Sequence, residues 1–301
     1  MSFEDTFLDK VDRDRRRERR VHQEALNMRI ELPPIIKAAH VRVKNEVFSN
    51  KEYAVQAPEF VGIYGEQNVR NDMAEVLRLK NLFRKEQTPE QKNSQIQAEV
   101  LEGIMLMHSE LSNWLGDAHT MKTSLYDDYK NKTDMFAEWY SHEMGSRVLA
   151  LGIDVTFSRL AVENKLFQIK REIDAGELGK IRYFKDTRGD FMGTRNNIPR
   201  VIIGVRPQAV EELATLWMNN NNKVLASHPI QRIIVDEIHT QLIAMLAYAE
   251  RRSKDAPVRA YKQALSIIEN LKQEKSLMPL ESPEQDVVAE EIAAGSKNIF
   301  R

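Results

Sequence analysis

The sequence has no cysteine, only 12 glycines among its 301 residues, and no long apolar run. The lack of cysteine excludes disulfides, cysteine-ligated metal centres and thiol nucleophiles. The apolar runs fall far short of the roughly 20 residues that a membrane-spanning helix needs. The first residues, MSFEDTFLDKVDRDRRRERR, carry charges where a signal peptide has its apolar core. These absences predict a protein of the cytoplasm, or of a virion, with no membrane association.

An excess of charge of one sign is also missing, because 44 Lys and Arg residues oppose 45 Asp and Glu residues. A globally basic coat for nucleic acid is therefore excluded, and only local basic clusters remain candidates. The scarcity of glycine, together with abundant Leu, Ala, Glu, Lys, Arg and Gln, favours helices.

Catalytic signatures are absent as well. The chain contains no Gly-x-x-x-x-Gly-Lys-Ser/Thr phosphate loop and no Gly-x-Ser-x-Gly nucleophile elbow. The sequence therefore predicts no cofactor, and it favours a function other than catalysis.

Apolar residues recur at three- and four-residue steps through most of the chain, which predicts amphipathic helices. The run Thr88-Pro89-Glu90-Gln91 has the residues of a capping box and predicts a helix start. Residues 122–151 are predicted to form one long helix. Two β-branched or aromatic runs, 181–184 and 201–205, predict a pair of strands joined by a long polar connection. The expected fold is mainly α, a multi-helix body with a small two-stranded β insertion near residues 180–206.

Composition divides the chain into four expected segments. Residues 1–30 are a charged N-terminal arm, and residues 31–176 are a helical domain. Residues 177–278 combine the β-hairpin and its loop with further helices, and residues 279–301 form an acidic C-terminal tail.

The segment 180–206 carries seven basic and two acidic residues in a protein whose net charge is −1. Guanidinium groups suit phosphate oxygens, and the interleaved aromatic residues Tyr183, Phe184 and Phe191 suit stacking on unpaired bases. The alternative is a solvated surface, or one paired with carboxylates from distant helices. The predicted nucleic-acid or anion-binding residues are Arg182, Lys185, Arg188, Arg195, Arg200 and Arg206.

A second basic cluster lies in the N-terminal arm, where six arginines and two acids span residues 13–20. Such an arm can lie along nucleic acid or dock on an acidic partner, whereas a mixed-charge helix can also be merely solvated. The predicted docking residues are Arg13, Arg15, Arg16, Arg17, Arg19 and Arg20.

Two groups of carboxylate and histidine residues are candidate metal sites. Asp236 and His239 share a predicted helix face, and Glu138 is close in sequence to His142 and Glu143. A di-iron bundle needs paired Glu-x-x-His motifs, which neither group has. The sequence therefore predicts no metal site.

Two functions remain. The favoured one is a non-enzymatic structural or assembly protein, such as a virion component or an accessory subunit of a nucleoprotein complex. It has protein partners or self-associates, and its arm and loop contact nucleic acid or acidic protein surfaces. The alternative is an enzyme on a helical scaffold that acts on a phosphorylated substrate or nucleic acid. That enzyme would bring Asp236, His239 and the loop arginines into one site.

Overall fold

The computed structural model describes residues 31–141, 145–154, 159–277 and 286–301. The arm at residues 1–30, with its predicted docking arginines, lies outside these residues, as do His142 and Glu143. Within the described residues the fold is mainly α with a small β element, as the sequence predicts.

The described chain is mainly helical up to Leu111. Helix α1 (Pro34–Arg42) continues into a π-helical turn (Val43–Val47), and a 3₁₀ turn (Ala57–Phe60) leads into the short helix α2 (Val61–Tyr64). Two long helices follow, α3 (Glu66–Glu86) and α4 (Pro89–Leu111). The predicted capping box is confirmed: the Gln91 amide donates to the Thr88 hydroxyl at 3.3 Å, and the Thr88 amide donates to the Gln91 side chain at 3.0 Å.

A four-stranded sheet occupies the middle of the chain. Its strands are β1 (His119–Lys122), β2 (Met135–Ser141), β3 (Gly145–Asp154) and β6 (Arg200–Gly204), in the order β1-β2-β3-β6. The first three strands are antiparallel, whereas β6 runs parallel to β3. A parallel pair needs a crossover, and helix α5 (Arg159–Ala175) lies in that connection.

The predicted long helix over 122–151 is therefore wrong. This segment instead forms a π-helical turn (Asp127–Asn131), strand β2 and most of strand β3. Its apolar residues also fit helical spacing, but Phe136 and Trp139 have rings that suit strands. The backbone at Lys132, with φ of 58°, ends the helical turn, and Met135 then pairs with Leu151.

The β insertion exists, but its predicted pairing is wrong. Strand β4 (Gly179–Lys185) pairs with β5 (Met192–Ile198), which lies inside the supposed polar connection. The run 201–205 belongs mainly to β6, where Ile203 pairs with Ile153 of β3. The sequence MGTRNNI is too polar to stand out as a strand, which explains the error.

Five helices complete the described part of the fold. They are α6 (Pro207–Met218), α7 (Asn222–Ala226), α8 (Ile230–Arg251), α9 (Asp255–Lys275) and α10 (Val287–Ile299). Among them, α8 and α10 pack against the edge strand β6. Gln241 of α8 accepts from the Ile202 amide at 2.9 Å and donates to its carbonyl at 2.6 Å. These bonds satisfy backbone groups of β6 that would otherwise form an open sheet edge.

The core is one large hydrophobic cluster that includes residues from α1, α4, α8 and α10, beside a smaller aromatic cluster around Phe60 and Phe184. Val288 and Ile292 of α10 are buried, so the described part of the predicted tail packs into the body. The large cluster thus contains residues from three of the four predicted segments. The proposed domain boundaries stay a prediction.

Candidate nucleic-acid interface and charged cluster

Three of the six predicted anion-binding residues form ion pairs with carboxylates from helical segments. Arg182 Nε donates to Asp72 Oδ2 of α3 at 2.7 Å, and its guanidinium lies 4.4 Å from the centre of the Tyr64 ring. Lys185 Nζ lies 3.3 Å from Glu59 Oε2. Both charges are therefore compensated within the molecule, as the alternative interpretation of this segment expected.

A third predicted residue, Arg200, is buried and hydrogen-bonded within the protein. It is buried at the start of β6, and its guanidinium donates to both carboxylate oxygens of Glu172 in α5, at 2.6 and 3.2 Å. It also donates to the carbonyls of Asn131 and Lys132, at 3.1 Å each. Arg206 is half-buried, and its backbone amide donates to Asp286, the residue that caps α10.

The remaining two residues lie beside aromatic rings: exposed Arg188 contacts Tyr140, and half-buried Arg195 lies near buried Phe184. The guanidinium of Arg188 lies 3.4 Å from the centre of the Tyr140 ring, and that of Arg195 lies 5.8 Å from the Phe184 ring. Tyr140 is 38% exposed and Phe191 is 41% exposed. We call Tyr140, Arg188, Phe191 and Arg195 the arginine–aromatic surface.

A cavity of about 90 Å³ adjoins this surface at Arg195. Arg147 also lines it, from a position opposite Trp139 in the β2–β3 ladder. The amides of Asn196, Asn197 and Gln263 add further donors. The sequence did not indicate Arg147 as a binding residue, because Arg147 falls in the predicted helix over 122–151, which is separate from the basic segment. Two guanidinium groups and three amides provide donors suited to a phosphate-sized anion.

A charged cluster that the sequence did not reveal lies where β1 ends. Lys122 Nζ is 2.5 Å from Glu102 Oε1 of α4, 3.7 Å from Asp128 Oδ2 of the π-helical turn, and 4.5 Å from the centre of the Phe48 ring. Glu102 and Lys122 are buried, whereas Asp128 keeps 28% of its side chain exposed. We call Glu102, Lys122 and Asp128 the charged cluster.

Burial changes the proton affinity of this cluster. It raises the pKa of Glu102 to about 8, against the attraction of Lys122, and the pKa of Asp128 to about 6. Burial opposes the charged form of Lys122, but the negative charges of Glu102 and Asp128 raise the pKa of the ammonium above its ordinary value. Burial therefore makes both carboxyl groups harder to ionise, while their negative charges favour the protonated form of Lys122.

A second group of charges lies nearby on α1 and α4. His40 Nε2 is 2.7 Å from Glu99 Oε2, and Lys44 Nζ is 2.5 Å from the same oxygen. Burial acts to raise the pKa of Glu99, but the bonds to His40 and Lys44 prevail and lower it to about 2. Glu99 is therefore ionised throughout the physiological range, unlike Glu102 one turn further along α4.

The candidate metal groups are engaged in other contacts. Lys272 Nζ lies 2.8 Å from Asp236 Oδ1 and 3.4 Å from His239 Nδ1. Buried Glu138 accepts from the amide and hydroxyl of Thr187, at 3.0 and 3.1 Å. Across the described ranges, no group of three His, Cys, Asp or Glu side chains could hold a metal ion. Asp236 and His239 both contact Lys272. Arg182 and Arg200, which the enzyme alternative would bring to the same site, pair instead with Asp72 and Glu172.

Comparisons with other proteins add no assignment, because no family model, curated protein or solved structure matches the chain. In the part of the chain that the structure describes, no helix has the length and apolar character needed to cross a membrane.

Proposed function

We propose that this protein is a non-enzymatic assembly protein that contacts nucleic acid through the arginine–aromatic surface. The observation that carries the proposal is the stack of exposed Arg188 on Tyr140. A cavity lined by Arg147 and Arg195 adds two further cations. Guanidinium groups recognise phosphates, and exposed rings stack on unpaired bases regardless of sequence. This role suits a virion component or an accessory subunit of a cytoplasmic nucleoprotein complex, the settings that the sequence predicts.

The rings favour nucleic acid over an acidic protein surface. An acidic partner needs only opposite charge, whereas Tyr140 and Phe191 each keep more than a third of their surface exposed. In a single strand, bases can stack on the Phe191 ring and on the Arg188–Tyr140 pair, while the cavity at Arg195 receives a backbone phosphate. Recognition of this kind is tolerant of sequence and sensitive to salt.

Binding of labelled single-stranded DNA and RNA, followed by fluorescence anisotropy, tests the proposal. We expect the Arg188→Ala and Tyr140→Ala variants each to weaken binding about tenfold, since one base stack contributes about 1–3 kcal/mol. Loss of a phosphate contact in the Arg195→Ala variant should lower the slope of log affinity against log salt by about 0.7. The matched control is Lys180→Ala, which removes an exposed cation of β4.

Polyglutamate serves as the acidic competitor. Competition by polyglutamate as strong as that by unlabelled nucleic acid would assign the surface to an acidic protein partner and contradict the proposal. Equal losses in the Lys180→Ala and Arg188→Ala variants would also contradict it, because general charge would then account for binding.

The charged cluster favours a second candidate function, an enzyme that acts on a phosphorylated substrate or nucleic acid. Its geometry supports general acid–base catalysis: Glu102 would donate a proton, Asp128 would accept one, and the Lys122 ammonium would stabilise negative charge on a phosphoryl oxygen. Asp128 is the partly exposed member of the cluster, so a substrate would have to approach through it. Proton affinities that differ between neighbouring carboxyl groups occur often in catalytic sites.

Hydrolysis of labelled nucleic acid and of bis-(p-nitrophenyl) phosphate, with and without Mg²⁺ or Mn²⁺, tests this candidate. We expect the Glu102→Gln and Lys122→Met variants to lose about 10²–10⁴-fold in rate, the usual contribution of a general acid or base. The exposed Glu86→Gln variant is the control, and circular dichroism verifies that each variant is folded. Absence of turnover by the unmodified protein on all of these substrates would refute the enzyme candidate and leave the binding proposal unaffected.

A further inference from the structure

A groove of about 770 Å³ runs along α8 beside the C-terminal end of α10. Its apolar part includes Ile243, Ala244 and Ala247, which lie along one side of α8. Ile243 is 47% exposed, so it presents apolar surface to the groove. The groove is thus an apolar surface that the described part of the chain leaves accessible.

The rim of this groove is basic. Arg251, Lys297 and Arg301 line it and are exposed. Arg251 also donates to the Phe300 carbonyl, which fixes its guanidinium at the junction of α8 and the C-terminal residues. An apolar floor with a cationic rim is complementary to an amphipathic segment that combines large apolar side chains with carboxylates.

The first 12 residues of the chain, which lie outside the described part, have this composition. They carry four carboxylates, Glu4, Asp5, Asp9 and Asp12, against the single cation Lys10. On a helical repeat, the apolar residues Phe3, Phe7, Leu8 and Val11 share one side and the three aspartates another. Arginines follow at once, so the apolar pattern ends where the basic cluster begins.

We propose that residues 3–12 dock in the basic-rimmed groove between α8 and α10, with Phe3 and Phe7 against Ile243 and Ala247 and the carboxylates facing the cationic rim. Residues 13–30 form an 18-residue connection that spans up to about 60 Å when extended. A globular chain of this length is about 50 Å across, so the segment can reach the groove of its own chain or of a second copy. This contact is independent of the proposed nucleic-acid surface, and it leaves the arginines at 13–20 available to other partners.

The absence of native cysteine allows a direct test in the full chain. In the single-cysteine variant Ala247→Cys, a docked segment should shield the thiol from a maleimide reagent. Replacing Asp5 and Asp9 by Lys should accelerate labelling about tenfold, which corresponds to about 1.4 kcal/mol of docking free energy. A Val224→Cys variant, on the exposed surface of α7, is the matched control, and its labelling rate should not change.

A charge swap and a second cysteine complete the design. Lys297→Glu and Arg301→Glu, added to the Asp5→Lys and Asp9→Lys variant, should restore protection of Cys at position 247. In the Phe7→Cys, Ala247→Cys variant, a disulfide within one chain identifies docking in cis, and a disulfide-linked dimer identifies docking on a second copy. Equal labelling rates with and without the aspartates would overturn the proposal, as would failure of the charge swap to restore protection.

Discussion

Two buried cations, Lys122 and Arg200, have different roles because different numbers of carboxyl groups surround them. Each is 6% exposed. Arg200 meets one carboxylate in a two-bond contact and uses another nitrogen on two carbonyls, so its donors are well matched to acceptors. Lys122 faces two carboxyl groups of the charged cluster, so negative charge exceeds positive charge when both are ionised. Arg200 consequently has a structural role, since it holds β6 to α5. Lys122 instead lies beside two carboxyl groups, Glu102 and Asp128, whose pKa values are raised.

This difference predicts that the protein loses stability as the pH rises from about 4.5 to about 8. The pKa of Glu102 is raised from 4.5 to about 8 by burial, so the folded protein holds a proton that the unfolded chain releases. Stability from this group is complete below pH 4.5 and is lost as the pH rises through 8. One proton corresponds to a slope of at most about 1.4 kcal/mol per pH unit in the free energy of unfolding. Urea denaturation at several pH values measures it.

Comparison of variants between pH 6.5 and 8 distinguishes Glu102 from other titrating groups. Burial lowers the pKa of His108 from 6.5 to about 4, so that histidine acts only below this range, as does Asp128 with its pKa of about 6. The Glu102→Gln variant should show a smaller slope between pH 6.5 and 8, and the exposed Glu86→Gln variant should keep the original slope. An unchanged slope in Glu102→Gln would show that Glu102 is already ionised in the folded protein.

Residue type and local charge predicted which side chains could bind anions, but not which of them are available to do so. Arg182 and Arg188 look equivalent in the sequence, yet Arg182 pairs with Asp72, 110 residues away. Lys185 pairs with Glu59 at a separation of 126 residues. Such partners depend on tertiary packing, which a charge count over 27 neighbouring residues does not contain. The same limit hid Arg147, which approaches the loop only because β3 folds back beside β2.

Local signals predicted helices well where the chemistry that starts them is itself local. The capping box at Thr88 satisfies amides within four consecutive residues, and α4 begins at Pro89. A proline at the first turn likewise marks α6, which begins at Pro207. The first amides of a helix have no hydrogen-bond partner within the helix. In α4 the Thr88 and Gln91 side chains provide partners, and in both helices a proline removes one of these amides.

Strands β2 and β3 were not predicted because their hydrogen bonds connect residues that are distant along the chain. Met135 pairs with Leu151 and Ser141 with Gly145, so one register satisfies the backbone of both segments. The helical spacing of Phe136, Tyr140 and Val148 is compatible with either structure, and pairing decides between them. Strand β5 was not predicted because its sequence is polar and has no strand pattern of its own. It is a strand because it pairs with β4, most of whose residues are buried.

At the scale of the whole molecule, the fold is held by side chains that bridge separate elements. Gln241 and Glu237 of α8 bond the backbone of β6 at Ile202 and Gly204. A β-carbon at Gly204 would lie 2.3 Å from Ile292 of α10, so glycine permits that helix to pack against the strand. Helix, sheet and C-terminal helix thus meet at one strand, and any loosening of β6 should affect the entire core.

Arg200 offers the most direct test of that coupling, because it joins β6 to α5 and to the carbonyls at Asn131 and Lys132. Arg200→Met should reduce the free energy of unfolding by about 3 kcal/mol, the lower end for breaking a buried pair, since Glu172 keeps 25% exposure and partial solvation. The double variant Arg200→Met, Glu172→Met should recover much of this loss, because no buried carboxylate remains uncompensated. Exposed Arg259→Met on α9 should change stability by less than about 0.5 kcal/mol. Chemical denaturation followed by tryptophan fluorescence measures all three, and a loss in Arg200→Met no larger than in Arg259→Met would show that the ion pair does not hold β6 to α5.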